Sequence, residues 1–248
     1  MRRLILSDIH ANFTALATAL AASQGTWEEA VCLGDLVGYG PDPNEVIERI
    51  RTLASAAIRG NHDKAIAGLS DLEDFNPVAR LAVEWSRSQL RPENLNYLAG
   101  LPAGPIHLDG VTLMHGSMRD EDEYVFVPEQ ALDGLLVAPH ALSFFGHTHV
   151  QGGFSFGEAG LQGLTPQAPR DGIGVVSLRL ERGTRYLLNP GSIGQPRDGD
   201  PRAAFAIYDS NQSLVEFWRV PYDIAVVADR MNRAGLPEAL GMRLYSGH

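Results

Sequence analysis

The chain has very little cysteine: Cys32 is its single thiol among 248 residues, so an intrachain disulfide is impossible. This fits a reducing compartment. The chain also lacks any apolar run near the roughly 20 residues that a membrane-spanning helix needs. Its first ten residues, MRRLILSDIH, hold too short an apolar stretch for a secretory signal peptide. We therefore expect a cytoplasmic protein with no membrane partner.

Positive charge is also scarce, because 20 lysines and arginines face 30 aspartates and glutamates, for a net charge of −10. This balance argues against stable binding to nucleic acid or to an anionic membrane. Internal repeats, heptads and extended low-complexity stretches are missing, and no feature indicates an oligomeric state. If the substrate is anionic, bound metal ions would have to supply the local positive charge.

The first half of the chain alternates short apolar runs with helical patterns. The runs at 4–6, 30–33 and 55–59 precede helical patterns at 13–23, 43–53 and 77–99. Asp42 is predicted to cap the second helix, with Pro43 in its first turn. This alternation predicts a parallel sheet with helices on its faces. Cys32 falls inside the second run, where we expect a small buried core residue.

The second half is mostly antiparallel β. Residues 106–114 contain an Asp-Gly hairpin turn, and 175–188 and 203–220 are likewise predicted to be paired strands. Residues 65–100 form a possible helical insertion, and the Gly- and Pro-rich residues 157–174 are predicted to form a long loop. Two sheets packed face to face, with helices outside, would unite both halves in one α/β domain over residues 1–248.

Side chains that can bind metals follow five of the apolar runs. The segments concerned are Ser7-Asp8-Ile9-His10, Gly34-Asp35, Gly60-Asn61-His62-Asp63, His115-Gly116 and Gly146-His147-Thr148-His149. In open α/β sheets, ligands bind beyond the carboxyl ends of the strands, so the five segments are expected to meet in one crevice. Two residues apart in an extended chain, His147 and His149 can face the same point.

The candidate ligands are oxygen and imidazole donors without a thiolate, a set that suits Mn²⁺, Fe or Zn²⁺. Seven ligands are too many for one tetrahedral ion, but they suit two ions that share a bridging carboxylate. The set is Asp8, His10, Asp35, Asn61, His115, His147 and His149.

The ordered set D-x-H, G-D, G-N-H-D, H-G and G-H-T-H resembles the calcineurin-like metallophosphoesterase superfamily. The later NPGSIGQPRDGDPRA, residues 189–203, is similar to the small single-domain bacterial and archaeal phosphodiesterases of that group. The resemblance implies a four-layer α-β-β-α sandwich. It also implies that Asp35 bridges two metal ions, one held by Asp8, His10 and His149 and the other by Asn61, His115 and His147.

The activity that the resemblance implies is hydrolysis of small phosphodiesters by attack of a metal-bridging hydroxide, with Asp35 and His62 as catalytic residues. His62, like Asn61, would be placed to contact the substrate. Either His62 contacts the phosphoryl group or protonates the leaving oxygen, or it is a structural histidine beside the ligands. Alternative functions are a dinucleoside polyphosphate or phosphoprotein phosphatase and a non-catalytic interaction scaffold of the same fold.

The chain departs from relatives that dephosphorylate phosphoproteins, which read G-D-x-V-D-R-G. Here the stretch is GDLVGYG, so Gly38 stands at the position of the second Asp and Tyr39 at the position of the Arg. This favours a diester over a terminal phosphate. Tyr39 could stack on a base of the substrate or pack in the rim, and Arg197 could meet substrate phosphate or lie on the surface.

Two further stretches carry weaker expectations. The acidic residues 120–123 are most simply a solvated loop, and Asn189 and Ser192 either brace the metal rim or form a structural turn.

Overall fold

A computed structural model describes residues 1–73 and 75–248 of the chain. It contains two six-stranded mixed sheets. The first sheet has the order β3-β2-β1-β11-β12-β9. Its strands are β1 (Arg2–Leu6), β2 (Glu29–Cys32), β3 (Ala54–Ala57), β9 (Gly174–Arg179), β11 (Ala203–Asp209) and β12 (Leu214–Val220). The first three run parallel, as the strand-helix alternation predicts, and the others are antiparallel.

The second sheet has the order β4-β5-β6-β10-β7-β8. Its strands are β4 (Ile106–Leu108), β5 (Val111–Leu113), β6 (Leu142–Phe144), β7 (Gly152–Gly157), β8 (Gly160–Leu164) and β10 (Arg185–Asn189). Strands β5, β6 and β10 are parallel, and antiparallel pairs extend the sheet on both sides.

Helices cover the outer face of each sheet, and this confirms the four-layer α-β-β-α sandwich. On β1, Ile5 points into the core between the sheets, whereas Leu4 and Leu6 pack with helices α1 (Phe13–Ala22) and α2 (Pro43–Leu53). On the second sheet, Phe145 and Leu187 pack against helix α6 (Pro128–Val137). The period-two alternation of buried side chains therefore gives each sheet two apolar faces.

The remaining helices pack against α2 or against one another. Residues 65–100, the possible insertion, hold the end of α3 (Asn61–Ile66) and all of α4 (Pro77–Gln89) and α5 (Pro92–Ala99). The C-terminal pair, α7 (Ile224–Arg233) and α8 (Glu238–Ser246), packs with α4 around Tyr39. In the described part of the chain, no helix is both long enough and apolar enough to cross a membrane.

Three sequence-based expectations are wrong in detail. Strands β9 and β10 do not form a hairpin, because β9 pairs with β12 in the first sheet and β10 with β6 and β7 in the second. The stretch 157–174 is not a continuous loop, since β8 pairs with β7. Asp42 occupies the N-cap position of α2 without a side-chain capping bond, and its carboxylate pairs instead with Arg230 of α7.

A buried arginine joins the two sheets. Arg3 of β1 is 1% exposed. It donates to Glu29 of the first sheet at 2.7 Å and to Asp109, in the turn between β4 and β5, at 2.8 Å. The side chain of Glu29 is 23% exposed and that of Asp109 is 63% exposed, so the Glu29 contact is the better shielded from solvent.

We expect Arg3→Met to lower the free energy of unfolding by about 2–3 kcal/mol, because it removes the cation paired with the largely buried Glu29 carboxylate and leaves that group the Ser55 hydroxyl as its donor. Asp109→Asn should cost under about 1 kcal/mol, since that carboxylate is largely solvated. Urea denaturation of both variants measures whether Arg3→Met loses more stability than Asp109→Asn. Equal losses would contradict the unequal roles of the two carboxylates.

Candidate metal centre

All five predicted segments meet at one edge of the sandwich, beyond the carboxyl ends of β1, β2, β3, β5 and β6. The candidate aspartates and histidines there are at most 3% exposed. They form two groups whose ligand atoms lie within 4.8 Å of one another: Asp8, His10, Asp35 and His149 in one, and Asp35, His115 and His147 in the other. Asp35 belongs to both groups, which is the arrangement that a bridging carboxylate requires.

The first group is closely packed. The Nε2 atoms of His10 and His149 lie 3.0 Å apart. Nε2 of His10 is 3.4 Å from Oδ2 of Asp35, and Nε2 of His149 is 3.4 Å from Oδ1 of Asp8. In the second group, Nε2 of His115 is 3.6 Å from Oδ2 of Asp35 and 3.4 Å from Oδ1 of Asn61. Asn61 thereby joins the second group.

These separations match the spacing of ligands around a small divalent ion. Two ligands bonded at about 2.1 Å and separated by 90–110° lie about 3.0–3.4 Å apart. Four of the five contacts fall in this range, and the His115–Asp35 contact exceeds it slightly. These separations therefore fit divalent ions at the ligands concerned, and His147 belongs to the second group by the 4.8 Å limit alone.

Backbone carbonyls fix the orientation of the histidine rings. Nδ1 of His10, His115 and His149 donates to the carbonyls of Val37, Leu33 and Gln195 at 3.1, 2.8 and 2.6 Å. Because a carbonyl only accepts, each of these rings carries its proton on Nδ1 and turns the Nε2 lone pair toward the centre. His147 uses the opposite nitrogen, since its Nε2 donates to the carbonyl of Asp122 at 3.0 Å and leaves Nδ1 free.

Burial sets the charge balance of the centre. Burial raises the pKa of Asp8 to about 7 and holds the pKa of Asp35 well above its usual range. Burial lowers the pKa of His147 to about 2 and holds the pKa values of His10 and His149 well below their ordinary value. The imidazoles are therefore neutral and able to ligate, and ionised carboxylates here need a cation to compensate them.

The loops of the centre are held in left-handed backbone conformations. Five candidate ligands have positive φ: Asp8 (52°), His10 (49°), Asp35 (52°), His147 (66°) and His149 (59°). Such conformations are uncommon outside glycine and cluster at functional sites, where the surrounding structure must hold them.

Asn189 and Ser192 supply part of that support. Asn189 Nδ2 donates to the carbonyl of Gly146 at 2.8 Å and to Thr148 Oγ1 at 3.0 Å, and Ser192 Oγ donates to the carbonyl of Asp8 at 2.7 Å. Both residues brace the strand-end loops, one of the two roles that the sequence left open.

The sequence did not reveal the role of Asp63. Its Oδ1 accepts from the amides of Leu36 at 2.9 Å and Val37 at 3.2 Å, and its Oδ2 accepts from the amide of Gly60 at 3.0 Å. The carboxylate thus joins the Asp35 loop to the start of α3. Its position three residues after Gly60 at a helix N-terminus was the available signal.

A profile of the calcineurin-like phosphoesterase superfamily domain matches residues 1–213. The chain belongs to this superfamily. A metallophosphoesterase from Sphaerobacter thermophilus, known from a crystal structure, is 40% identical in sequence to this chain. The two structures have a TM-score of 0.86 over 100% of this chain and 99% of that one. An uncharacterised protein of Methanocaldococcus jannaschii is 35% identical over 249 residues, 98% of this chain and 97% of its own. A hypothetical protein from Pyrococcus horikoshii, 22% identical over 100% of this chain and 98% of that one, shares the fold with a TM-score of 0.77.

Among the described residues, His62 lies beside the candidate metal centre without a partner for one nitrogen. The residue is 4% exposed, and within the described chain no protein group bonds its buried Nδ1. Gly38 explains the gap, because a Cβ at position 38 would come within 2.4 Å of that Nδ1. There is no room for the aspartate that orients this histidine in the phosphoprotein phosphatase motif.

Tyr39 and Arg197 lie together next to His62. Tyr39 is 6% exposed, and its ring packs on His10 at 4.7 Å and on His62 at 4.5 Å between centroids. Arg197 lies over the same ring, 5.9 Å from its centroid, and its Nη2 donates to the Tyr39 hydroxyl at 3.5 Å. The tilted rings of His10 and His62 and the Arg197 guanidinium surround the Tyr39 ring, which also lines a cavity beside the ligands, so rim packing and substrate contact both stay predictions.

The C-terminal residues hold this pair of side chains in place. Val227 and Met231 of α7 pack in the same apolar cluster as Tyr39. The amide of Gly199, two residues after Arg197, donates to the carbonyl of Gly247 at 2.9 Å. The C-terminal residues therefore contact Tyr39 and the segment that carries Arg197.

We expect Gly38→Ala to destabilise the protein by about 1–3 kcal/mol more than Gly25→Ala, because it adds a clash with His62 to the strain of an L-residue at positive φ. Gly25 is the matched control, with φ of +77° against +92° for Gly38 and open space around its Cβ position. Urea denaturation measures the difference, and the His62 ring resonances should shift in Gly38→Ala alone. Equal stabilities and an unmoved His62 signal would contradict the contact.

Proposed function

We propose that this protein is a dinuclear-metal phosphoesterase that hydrolyses small phosphodiesters. The observation that carries the proposal is the pair of buried ligand groups sharing Asp35, with spacings that fit two divalent ions. Asp8, His10 and His149 would hold one ion, and Asn61, His115 and His147 the other. Bound Mn²⁺, Fe or Zn²⁺ ions would supply a hydroxide nucleophile at neutral pH and stabilise charge on the phosphoryl oxygens.

His62 is proposed to contact the substrate phosphoryl group. Its Nδ1 is buried without a partner, and the ring also lines the cavity beside the metal centre. A neutral imidazole with its proton on Nε2 can donate a hydrogen bond there without burying an unsatisfied N–H. In the described chain no carboxylate bonds Nδ1, which favours this contact over proton donation to the leaving oxygen, because no such group there stabilises the imidazolium.

Arg197 is proposed as the cationic contact for substrate phosphate. Its Nε is buried, and in the described chain no protein group accepts a hydrogen bond from it. Tyr39 occupies the position of the arginine in the phosphoprotein phosphatase motif, so the guanidinium here comes from residue 197, held over the Tyr39 ring. A single guanidinium beside the metal ions suits a singly charged diester better than a terminal dianionic phosphate.

We expect the protein supplied with Mn²⁺ to hydrolyse bis(p-nitrophenyl) phosphate with a higher kcat/KM than p-nitrophenyl phosphate. Asp35→Asn should lower that activity at least about hundredfold, since the metal ions contribute several kcal/mol to transition-state stabilisation. Release of p-nitrophenolate measures both. Activity in Asp35→Asn equal to that of the wild type would sink the proposal, and a preference for the monoester would remove the diester assignment.

The two histidines after β6 should affect different ions. We expect two transition-metal ions per chain in protein purified without chelator, and about one in His147→Ala and in His149→Ala, because each removes one ligand of a separate ion. His107 is an exposed histidine outside the centre, so His107→Ala is the control and should keep both metal ions. Elemental analysis measures the ratio, and unchanged metal content in both variants would contradict the ligand assignment.

A further inference from the structure

A cavity of about 270 Å³ lies beside the candidate metal centre. His62, Asn61 and His147 line it on the side of the metal ligands. The connection between α3 and α4 provides Ser70, Asp71 and Phe75, and the connection between β5 and α6 provides Asp122 and Tyr124. A group bonded to a phosphoryl oxygen at the metal centre would therefore extend into this space.

The size of the cavity limits its occupant. Pockets for drug-sized ligands measure about 300–1,000 Å³, so this cavity lies just below their lower end. It has room for one small organic group. A dinucleoside polyphosphate or a stretch of peptide would leave most of its atoms outside.

The charge of the cavity limits the occupant further. Among the described residues, two aspartates line it, Asp71 and Asp122, and no lysine or arginine does. The Asp122 carboxylate is paired with Lys64 at 2.6 Å. Asp71 has no such cation within the described residues, and its Oδ1 accepts only the amide of Glu73, at 3.1 Å. An occupant with its own negative charge would face an unbalanced carboxylate, whereas a neutral hydrogen-bond donor would be attracted.

Aromatic rings form the apolar part of the wall. Tyr124 is fixed by parallel stacking on His147 at 3.7 Å and on Phe126 at 5.3 Å between centroids. Phe75 meets the His62 ring edge-on at 5.0 Å. Fixed rings with a carboxylate and a serine hydroxyl beside them suit a flat ring that carries hydrogen-bond donors on its edge.

We propose that this cavity binds an uncharged, ring-bearing ester group of a phosphodiester, and that Asp71 excludes ester groups that carry a second negative charge. The inference rests on the proposed function and specifies which diesters that function would serve. Uncharged nucleosides and simple aryl groups have the required chemistry.

The kinetic test uses two diesters that each carry a single ring, methyl p-nitrophenyl phosphate and its analogue with a carboxylate on the nitrophenyl ring. Asp71→Lys should raise the kcat/KM of the carboxylated ester relative to the neutral one by about tenfold, because the variant replaces a repelling charge with an attracting one. Asp171→Lys, at another exposed aspartate, is the control for net charge and should leave the ratio as in the wild type. An unchanged ratio in Asp71→Lys would overturn the inference while leaving the proposed function in place.

Binding provides a second measurement that does not need turnover. Saturation-transfer NMR with adenosine should show contact with the wild type and with Tyr124→Phe, and lose it in Tyr124→Ala. Tyr245→Ala removes another exposed tyrosine, on α8, and should retain the signal. If neither ester is hydrolysed but adenosine binds in this pattern, the proposed function fails and the cavity assignment stands. Adenosine contact that survives Tyr124→Ala would overturn the assignment.

Discussion

The candidate metal centre depends on one constraint: two carboxylates are buried there without a lysine or arginine partner among the described residues. In the described chain, Asp8 and Asp35 lie within ion-pairing distance only of histidine side chains. Burial lowers the pKa values of His10 and His149, so these two imidazoles are neutral. Ionised carboxylates are costly in such a place unless a cation compensates them. The donors, their spacing and the backbone carbonyls behind the imidazoles all serve that requirement.

Holding these ligands requires support from distant parts of the chain. The positive φ angles of the strand-end loops are maintained by Asp63, Asn189 and Ser192, which bond loop backbone or loop side chains. The C-terminal helices add a further layer, because they pack on Tyr39 and contact the segment that carries Arg197. Strain at the centre is thus offset by contacts outside it.

Gly38 and Tyr39 stand where the phosphoprotein phosphatase motif has an aspartate and an arginine, and the two replacements have linked consequences. In the described chain, Nδ1 of His62 has no partner beside Gly38, and Tyr39 fills the space between His10, His62 and Arg197. The guanidinium beside the centre then comes from residue 197, far away in sequence. The neighbouring cavity, small and lined by Asp71 and aromatic rings, is consistent with a substrate that carries one phosphate charge and one neutral ring.

The two packed sheets and the candidate metal ligands could be predicted from the sequence, because strand-helix alternation and polar residues after apolar runs are local signals. It failed where pairing is non-local: β9 and β10 look like a hairpin, yet each finds its partners in a different sheet. It also could not place Asp42 with Arg230, Tyr39 against Arg197, or Asp71 and Tyr124 in one cavity. Only the tertiary structure decided these contacts, because they join segments whose separation leaves no periodic or spacing signal.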